Sequence, residues 1–162
     1  MKETLNITFT KTHPLSDDVK AKVVSILYIL IASYIDAKGQ ILESHWNSEG
    51  KTFISMHKLF DETLATIDTL IDPLGERIRS FGAPARANLK FASDNTLLRD
   101  AGVTTNNLDD NLEIVLYCLR TIRDFLYSVI PQISSIDETS SNILQEHCAK
   151  IDNLIYLNQS CI

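Results

Sequence analysis

The stretch from residue 45 to 77, HWNSEGKTFISMHKLFDETLATIDTLIDPLGER, carries the reading of the whole chain. Asn47 to Gly50 marks a turn, and the apolar residues after it recur at helical spacing, with His57, Asp61, Asp72 and Glu76 among them. At about 100° per residue, all four fall within a sector of about 100° on one helix. His57 and Asp61 are one turn apart, as are Asp72 and Glu76. His57 and Asp72, however, are separated by roughly 22 Å along a helix that rises about 1.5 Å per residue, too far to share one ion. A single chain cannot close a metal site with them.

Two copies can. The numbers 57 and 76 have the same sum as 61 and 72, so two antiparallel copies of this helix crossing near Ile67 set His57 against Glu76 and Asp61 against Asp72. A two-fold axis then generates two equivalent sites, as an isologous interface requires. Imidazole combined with carboxylate suits iron, manganese or zinc.

Upstream, Ser16 followed by Asp17 and Asp18 makes an N-cap and an acidic first turn. Apolar positions 19, 23, 26, 27, 30, 34, 37 and 41 keep a helical period to about His45, and residues 1–15 read as an irregular arm. The second helix is expected from about Lys51 to Ser80. Pro73 removes the amide bond to the Thr69 carbonyl, so a kink is expected there, the alternative being that Asp72 caps a new segment.

Phe81 to Thr105 then forms a crossover containing Gly82, Pro84 and Gly102, with room for a short extra helix at Asp94 to Asp100. Leu108, Leu112, Val115, Leu119, Ile122, Leu126 and Val129 mark a third long helix, stopped by Pro131. A fourth starts at a capping box, Ser135 to Glu138, and turns Ile143, His147, Ile151 and Leu154 inward. The bundle is expected over residues 16–158, with a tail at 159–162. The fold class is all-α: four long helices with one long connection between the second and third.

Composition agrees with a single domain. The 162 residues are 44% apolar and 22% charged, with five glycines, four prolines and no low-complexity tract. The longest apolar run, Val23 to Ile35, is shorter than the roughly 20 residues a bilayer span needs, so no membrane segment is expected. Met1-Lys2-Glu3-Thr4 lacks the order of a signal peptide, which leaves the cytoplasm as the expected compartment. Cys118, Cys148 and Cys161 are odd in number and form no CxxC pair, against a disulfide framework or zinc knuckle; the first two read as buried small hydrophobes.

His45-Trp46-Asn47-Ser48-Glu49-Gly50, then Phe53, His57, Phe60, Asp61, Asp72 and Glu76-Arg77, resemble the ferroxidase signature of the Dps family, the ferritin-like mini-ferritins. The resemblance implies a ferritin-like four-helix bundle, Fe(II) oxidation with hydrogen peroxide or oxygen, and storage of ferric mineral in a hollow homo-dodecamer built from two-fold dimers. It implies that His45, His57 and Asp61 of one subunit meet Asp72 and Glu76 of its mate around iron, with zinc or manganese as substitutes. Trp46 is expected beside the metal as an interceptor of radicals, or else as an aromatic staple between the first two helices. No Glu-x-x-His pair, the mark of ordinary di-iron bundles, occurs.

Two departures from the family pattern stand out. Pro73 and Gly75 interrupt the stretch between the last two ligands, where the family shows Asp-x-x-Ala-Glu-Arg, and Lys58 stands where acidic residues are common, as a candidate partner for Glu62. Glu62 is itself a candidate for mineral nucleation. Asp124, Asp137 and Glu138 form a candidate pore lining, and the 21 acidic against 15 basic residues suit a cage that draws in cations. DNA binding, the family's other trait, is disfavoured: the arm holds Lys2 and Lys11 beside Glu3, no basic residue follows Lys150, and the net charge is −6. The alternative function is a DNA-compacting structural protein with a weak or vestigial metal site.

Overall fold

A computed structural model of the chain describes residues 7–161. Five helices follow one another: α1 Asp17–Asn47, α2 Phe53–Ser80, α3 Leu89–Asn95, α4 Leu108–Ser134 and α5 Glu138–Gln159. Ser16 caps α1 as expected, its hydroxyl accepting from the Val19 amide. α1 packs on α2 and α4, and α5 packs on α4 and α2. The crossover returns the chain to the end of the bundle where α2 began, and there Glu49 and Asn107 form an isolated bridge. Every neighbouring pair of long helices is therefore antiparallel, and the diagonal pairs run parallel.

Each long helix is placed by its apolar period. α2 buries Met56, Phe60, Thr63, Ile67, Leu70, Leu74 and Ile78, while α4 buries Leu108, Leu112, Val115, Leu119, Ile122, Leu126, Val129 and Ile133. α1 is buried more nearly all round, because α3 and the crossover cover a further face. Its polar residues on that face bind the crossover backbone. Tyr28 donates to the Pro84 carbonyl, Ser33 Oγ accepts from Leu97 N at 3.1 Å, and the Gln40 amide spans Arg99 O and Ala101 N, each at 3.1 Å. Buried polar groups on α1 thus double as the latch for an otherwise irregular connection.

The arm is anchored as well as irregular. Thr10 N donates to Phe81 O at 2.8 Å, and the buried Lys20 Nζ donates to Thr10 O at 2.8 Å. Gly82 makes that crossing possible: its φ is +88°, and a Cβ there would lie 2.7 Å from the Thr10 nitrogen. Lys2 and Glu3 of the arm lie outside the described residues.

Four boundaries differ from expectation, each for a local reason. The short crossover helix sits at Leu89–Asn95, not at Asp94 to Asp100, because Asn88 Oδ1 caps it by accepting from Phe91 N at 2.9 Å and Phe91 and Ala92 are buried. α4 does not stop at Pro131 but continues to Ser134; a proline in the last turn costs one amide bond, and Ile133 beyond it is buried. The capping box does not form. Ser135 Oγ donates back to Gln132 O, α5 starts at Glu138 with Asp137 as its N-cap residue, and the Asp137 carboxylate is taken by Arg77. α2 begins two residues after Lys51, at Phe53.

α2 runs unbroken through Pro73, so Asp72 does not cap a separate helix. A mid-helix proline costs about 3 kcal/mol, but Leu70, Leu74 and Ile78 keep the core-facing period on both sides of it. Gly75 is no steric necessity: a methyl there would touch Ala85 Cβ at 3.8 Å, ordinary contact. Cys118 and Cys148 are buried and Cys161 exposed; burial, with the charge of Asp36, pushes the Cys118 thiol up to about 12. Among the described residues no helix is long and apolar enough to cross a membrane.

His147 faces the centre of the bundle and is 2% exposed, its Nδ1 lying 3.2 Å from the Tyr34 hydroxyl. Burial, followed by the charge of Lys150, lowers its pKa from 6.5 to about 4. Between those values the unfolded chain binds a proton that the folded chain refuses, so stability falls as pH falls through the window. Replacing His147 with Gln should flatten that decline by up to about 3 kcal/mol across the window, read from denaturant midpoints as a function of pH. An unchanged slope would contradict the assignment.

Candidate metal centre

The end of α1 and the start of α2 are joined by a turn that places two imidazoles in contact. Gly50 adopts a φ of +148°, in the region that favours glycine, and Phe53 N donates to Gly50 O at 3.2 Å. Glu49 fixes the turn to the start of α4, its N donating to Asn106 O at 2.8 Å and its carboxylate accepting from Asn106 Nδ2 at 2.9 Å. This pin went unread in the sequence. A glutamate in a polar turn carries no signal that a residue 57 positions later will hold it.

His45, 7% exposed, stacks on His57 with ring centroids 3.7 Å apart and planes inclined by 24°. Phe53 lies against His57, at 4.9 Å between centroids. Asp61, one turn beyond His57, brings Oδ1 to 3.6 Å from His45 Nδ1. One ligand-type atom from each of His45, His57 and Asp61 lies within 4.8 Å of the other two. An ion with bonds of about 2.1 Å needs donors about 3 to 4 Å apart, a spacing that the His45 and Asp61 atoms already have at 3.6 Å.

The donor chemistry fits a divalent first-row metal. Nδ1 of His45 and Nδ1 of His57 are buried and have no hydrogen-bond partner, an expensive condition for a ring nitrogen unless something else satisfies it. A carboxylate beside two imidazoles, with no thiolate in the set, suits iron, manganese or zinc.

Asp72 and Glu76 are exposed and stand outside this group, as the rise of one helix demands. Arg77, next to Glu76, is held firmly: its Nη2 donates to both oxygens of buried Asp137 at 2.9 and 2.8 Å, its Nε donates to Ser140 Oγ at 2.8 Å, and its guanidinium lies 4.4 Å from the Phe81 ring centre. Burial opposes ionisation of Asp137, but hydrogen bonding to Ser140 and Arg77 and the charge of Arg77 outweigh it, leaving the carboxyl below its ordinary value.

That clamp removes Asp137 from the candidate pore lining, and Asp124 is paired with Arg123 at 2.8 Å. Trp46 is 67% exposed, so it does not staple α1 to α2; Phe53 is the aromatic that packs on the histidines. Lys58 and Glu62 are both exposed, and the i to i+4 ion pairs among the described residues are Lys90–Asp94 and Lys150–Glu146. His13 and His147 lie outside the cluster.

The ferritin-like domain family matches residues 24–155. Among curated relatives, the DNA protection during starvation protein of Agrobacterium fabrum is 25% identical over 151 residues, covering 90% of this chain and 93% of its own. Among solved structures, Mycobacterium smegmatis Dps in a tetragonal form superposes with a TM-score of 0.88 at 20% identity, covering 94% of this chain and 92% of that one. Microbacterium arborescens Dps, in what is described as its high iron form, superposes with a TM-score of 0.82 at 19% identity, covering 90% and 95%. The chain belongs to the ferritin-like family, and the resemblance to its Dps members read from residues 45 to 77 is borne out. Membership implies a function of the iron-storage and ferroxidase type in general.

Co(II), as a spectroscopic stand-in for Fe(II), should raise the thermal midpoint of the wild type and develop ligand-field absorption. A His45→Ala, His57→Ala double variant should show neither, since a ligand that binds only the folded state stabilises it by about 2.7 kcal/mol at a hundred times its Kd. Equal Co(II) stabilisation of both proteins would place the metal elsewhere.

Proposed function

We propose that the protein is a Dps-like ferroxidase and iron store, oxidising Fe(II) at a site made by His45, His57 and Asp61 of one subunit and Asp72 and Glu76 of a two-fold mate. The observation that carries this reading is the pair of stacked imidazoles whose buried Nδ1 atoms have no hydrogen-bond partner, beside Asp61. Three chain-local ligands form only half of a coordination shell for a metal with octahedral preference, and two carboxylates on the same helix are left facing outward. An isologous crossing of α2 on α2 uses both halves twice.

Iron here is substrate. Two ferrous ions give up one electron each, the O–O bond of one hydrogen peroxide breaks, and two protons are taken up to give two waters. No odd electron is left to form hydroxyl radical, which is how such an enzyme protects its surroundings. The carboxylates of Asp61, Asp72 and Glu76 favour the ferric product by charge, while the stacked imidazoles set the direction of approach. A site divided between chains offers few ligands from either one and releases product readily. The ferric product then collects as mineral inside a hollow assembly of twelve subunits, whose acidic surplus draws in cations. The Microbacterium arborescens relative, described in a high iron form, supports the choice of iron.

Subunit complementation tests the shared site. A His45→Ala, His57→Ala chain and an Asp72→Asn, Glu76→Gln chain should each be inactive alone. Unfolded together, mixed in equal amounts and reassembled, they should regain about one quarter of the wild-type rate, because half of random dimers are mixed and each mixed dimer holds one intact site. No recovery in correctly assembled mixtures, or full activity in the second variant alone, would refute the reading.

A further inference from the structure

Both imidazoles of the candidate centre come from helix ends. His45 lies in the last turn of α1, and His57 follows Phe53, the first residue of α2, by four positions. Terminal turns fray because their outer backbone groups lack intrahelical partners, so ligands placed there need outside support. The end of α1 has some of its own: Asn47 Nδ2 donates to Glu43 O at 2.8 Å, and Ser48 Oγ donates to Ser44 O at 2.6 Å. The start of α2 has less. Among the described residues Thr52 makes no capping bond with its side chain, and no acidic residue stands in the first turn.

The start of α4 supplies what α2 lacks. Asn107 Oδ1 accepts from the amides of Asp109 and Asp110 at 2.8 and 3.1 Å, Asn107 N donates to Thr105 Oγ1 at 3.0 Å, and Asn111 Nδ2 donates to Thr105 O at 3.3 Å. Leu108, Asn111 and Leu112 bury this turn in the bundle. Asn106 sits inside that fixed segment, yet among the described residues its side chain bonds only to Glu49, Nδ2 donating to Oε2 at 2.9 Å. The Glu49 amide donates to Asn106 O at 2.8 Å, so Glu49 grips Asn106 by backbone and side chain at once.

We infer that Glu49 and Asn106 are positioning residues of the metal centre: their side-chain bond holds the α1–α2 turn at the offset that stacks His45 on His57, and so sets how tightly these histidines and Asp61 bind a divalent cation. The inference rests on the proposed reading of the site as a metal centre. Glu49 is not itself a ligand, for it stands outside the group of His45, His57 and Asp61. A donor set held in place binds without first being ordered, whereas an unpinned turn loses part of the binding free energy to ordering. The side chains of Glu49 and Asn106 are both exposed, so their bond adds little to the stability of the whole chain. Its effect is local, which lets affinity and fold stability be told apart.

Co(II) titration of the assembled protein, followed by ligand-field absorption, tests the pin. Loss of an exposed hydrogen bond to a charged group should weaken binding about fivefold in Glu49→Ala, and equally in Asn106→Ala, which leaves every bond at the start of α4 in place. The double alanine variant should bind no more weakly than either single one, because the same bond is lost in each. Glu49→Gln keeps the acceptor and removes the charge, so it should stay near the wild type. Thermal midpoints without metal should lie close together in all of these proteins. Wild-type affinity in Glu49→Ala and Asn106→Ala would overturn the inference. So would equal weakening in Glu49→Gln and Glu49→Ala, which would show that charge draws in the ion, or a double variant weakened by the product of the single effects. Failure of the wild type to bind Co(II) would overturn the reading of the site as a metal centre, and this inference with it.

Discussion

The antiparallel register of α1 on α2 is the constraint on which the rest depends. It stacks His45 on His57, brings Asp61 beside them, and carries Asp72 and Glu76 away along the same helix. Nothing in the side chains alone produces that arrangement. The turn at Gly50 sets the offset, Glu49 ties the turn to Asn106, and the apolar period of α2 decides which face stays out of the core. A slip of one residue would turn the histidines about 100° away from each other.

A second consequence is that the two halves of the proposed site have different supports. The histidine half rests on a short turn held by backbone and glutamate hydrogen bonds. The carboxylate half straddles Pro73, where α2 has lost an amide bond, and it is stiffened from the far end by Arg77. A bidentate, largely buried arginine–carboxylate pair is directional, so it specifies orientation better than it adds stability. Helix α2 thus tolerates a weak link between two fixed ends, and Glu76 is adjacent to the fixed one.

Much of this was legible in the sequence because it follows from period and distance. The four long helices, the long connection and the inward face of the last helix are written in apolar spacing, and the separation of His57 from Asp72 within one chain is written in the rise of a helix. What could not be read depends on partners distant in sequence. Asp137 looked like part of a capping box or a pore, and Arg77, sixty residues earlier, takes its carboxylate instead. Of the two readings of Trp46, the aromatic staple fails because the residue is exposed, and Phe53 does the stacking. The crossover helix was displaced because Asn88 and the buried Phe91 outweigh the local pattern further on. His147 read correctly as an inward residue, but its partner on α1 is visible only once the bundle is closed.

The central claim is a metal held between two chains, and its most direct test is anomalous diffraction at the iron edge from crystals soaked in Fe(II) under anaerobic conditions. The account predicts a peak on each side of a two-fold axis, bounded by His45, His57 and Asp61 from one subunit and Asp72 and Glu76 from the other. A peak bound wholly within one chain, or Asp72 and Glu76 turned away from the neighbour's histidines, would contradict it.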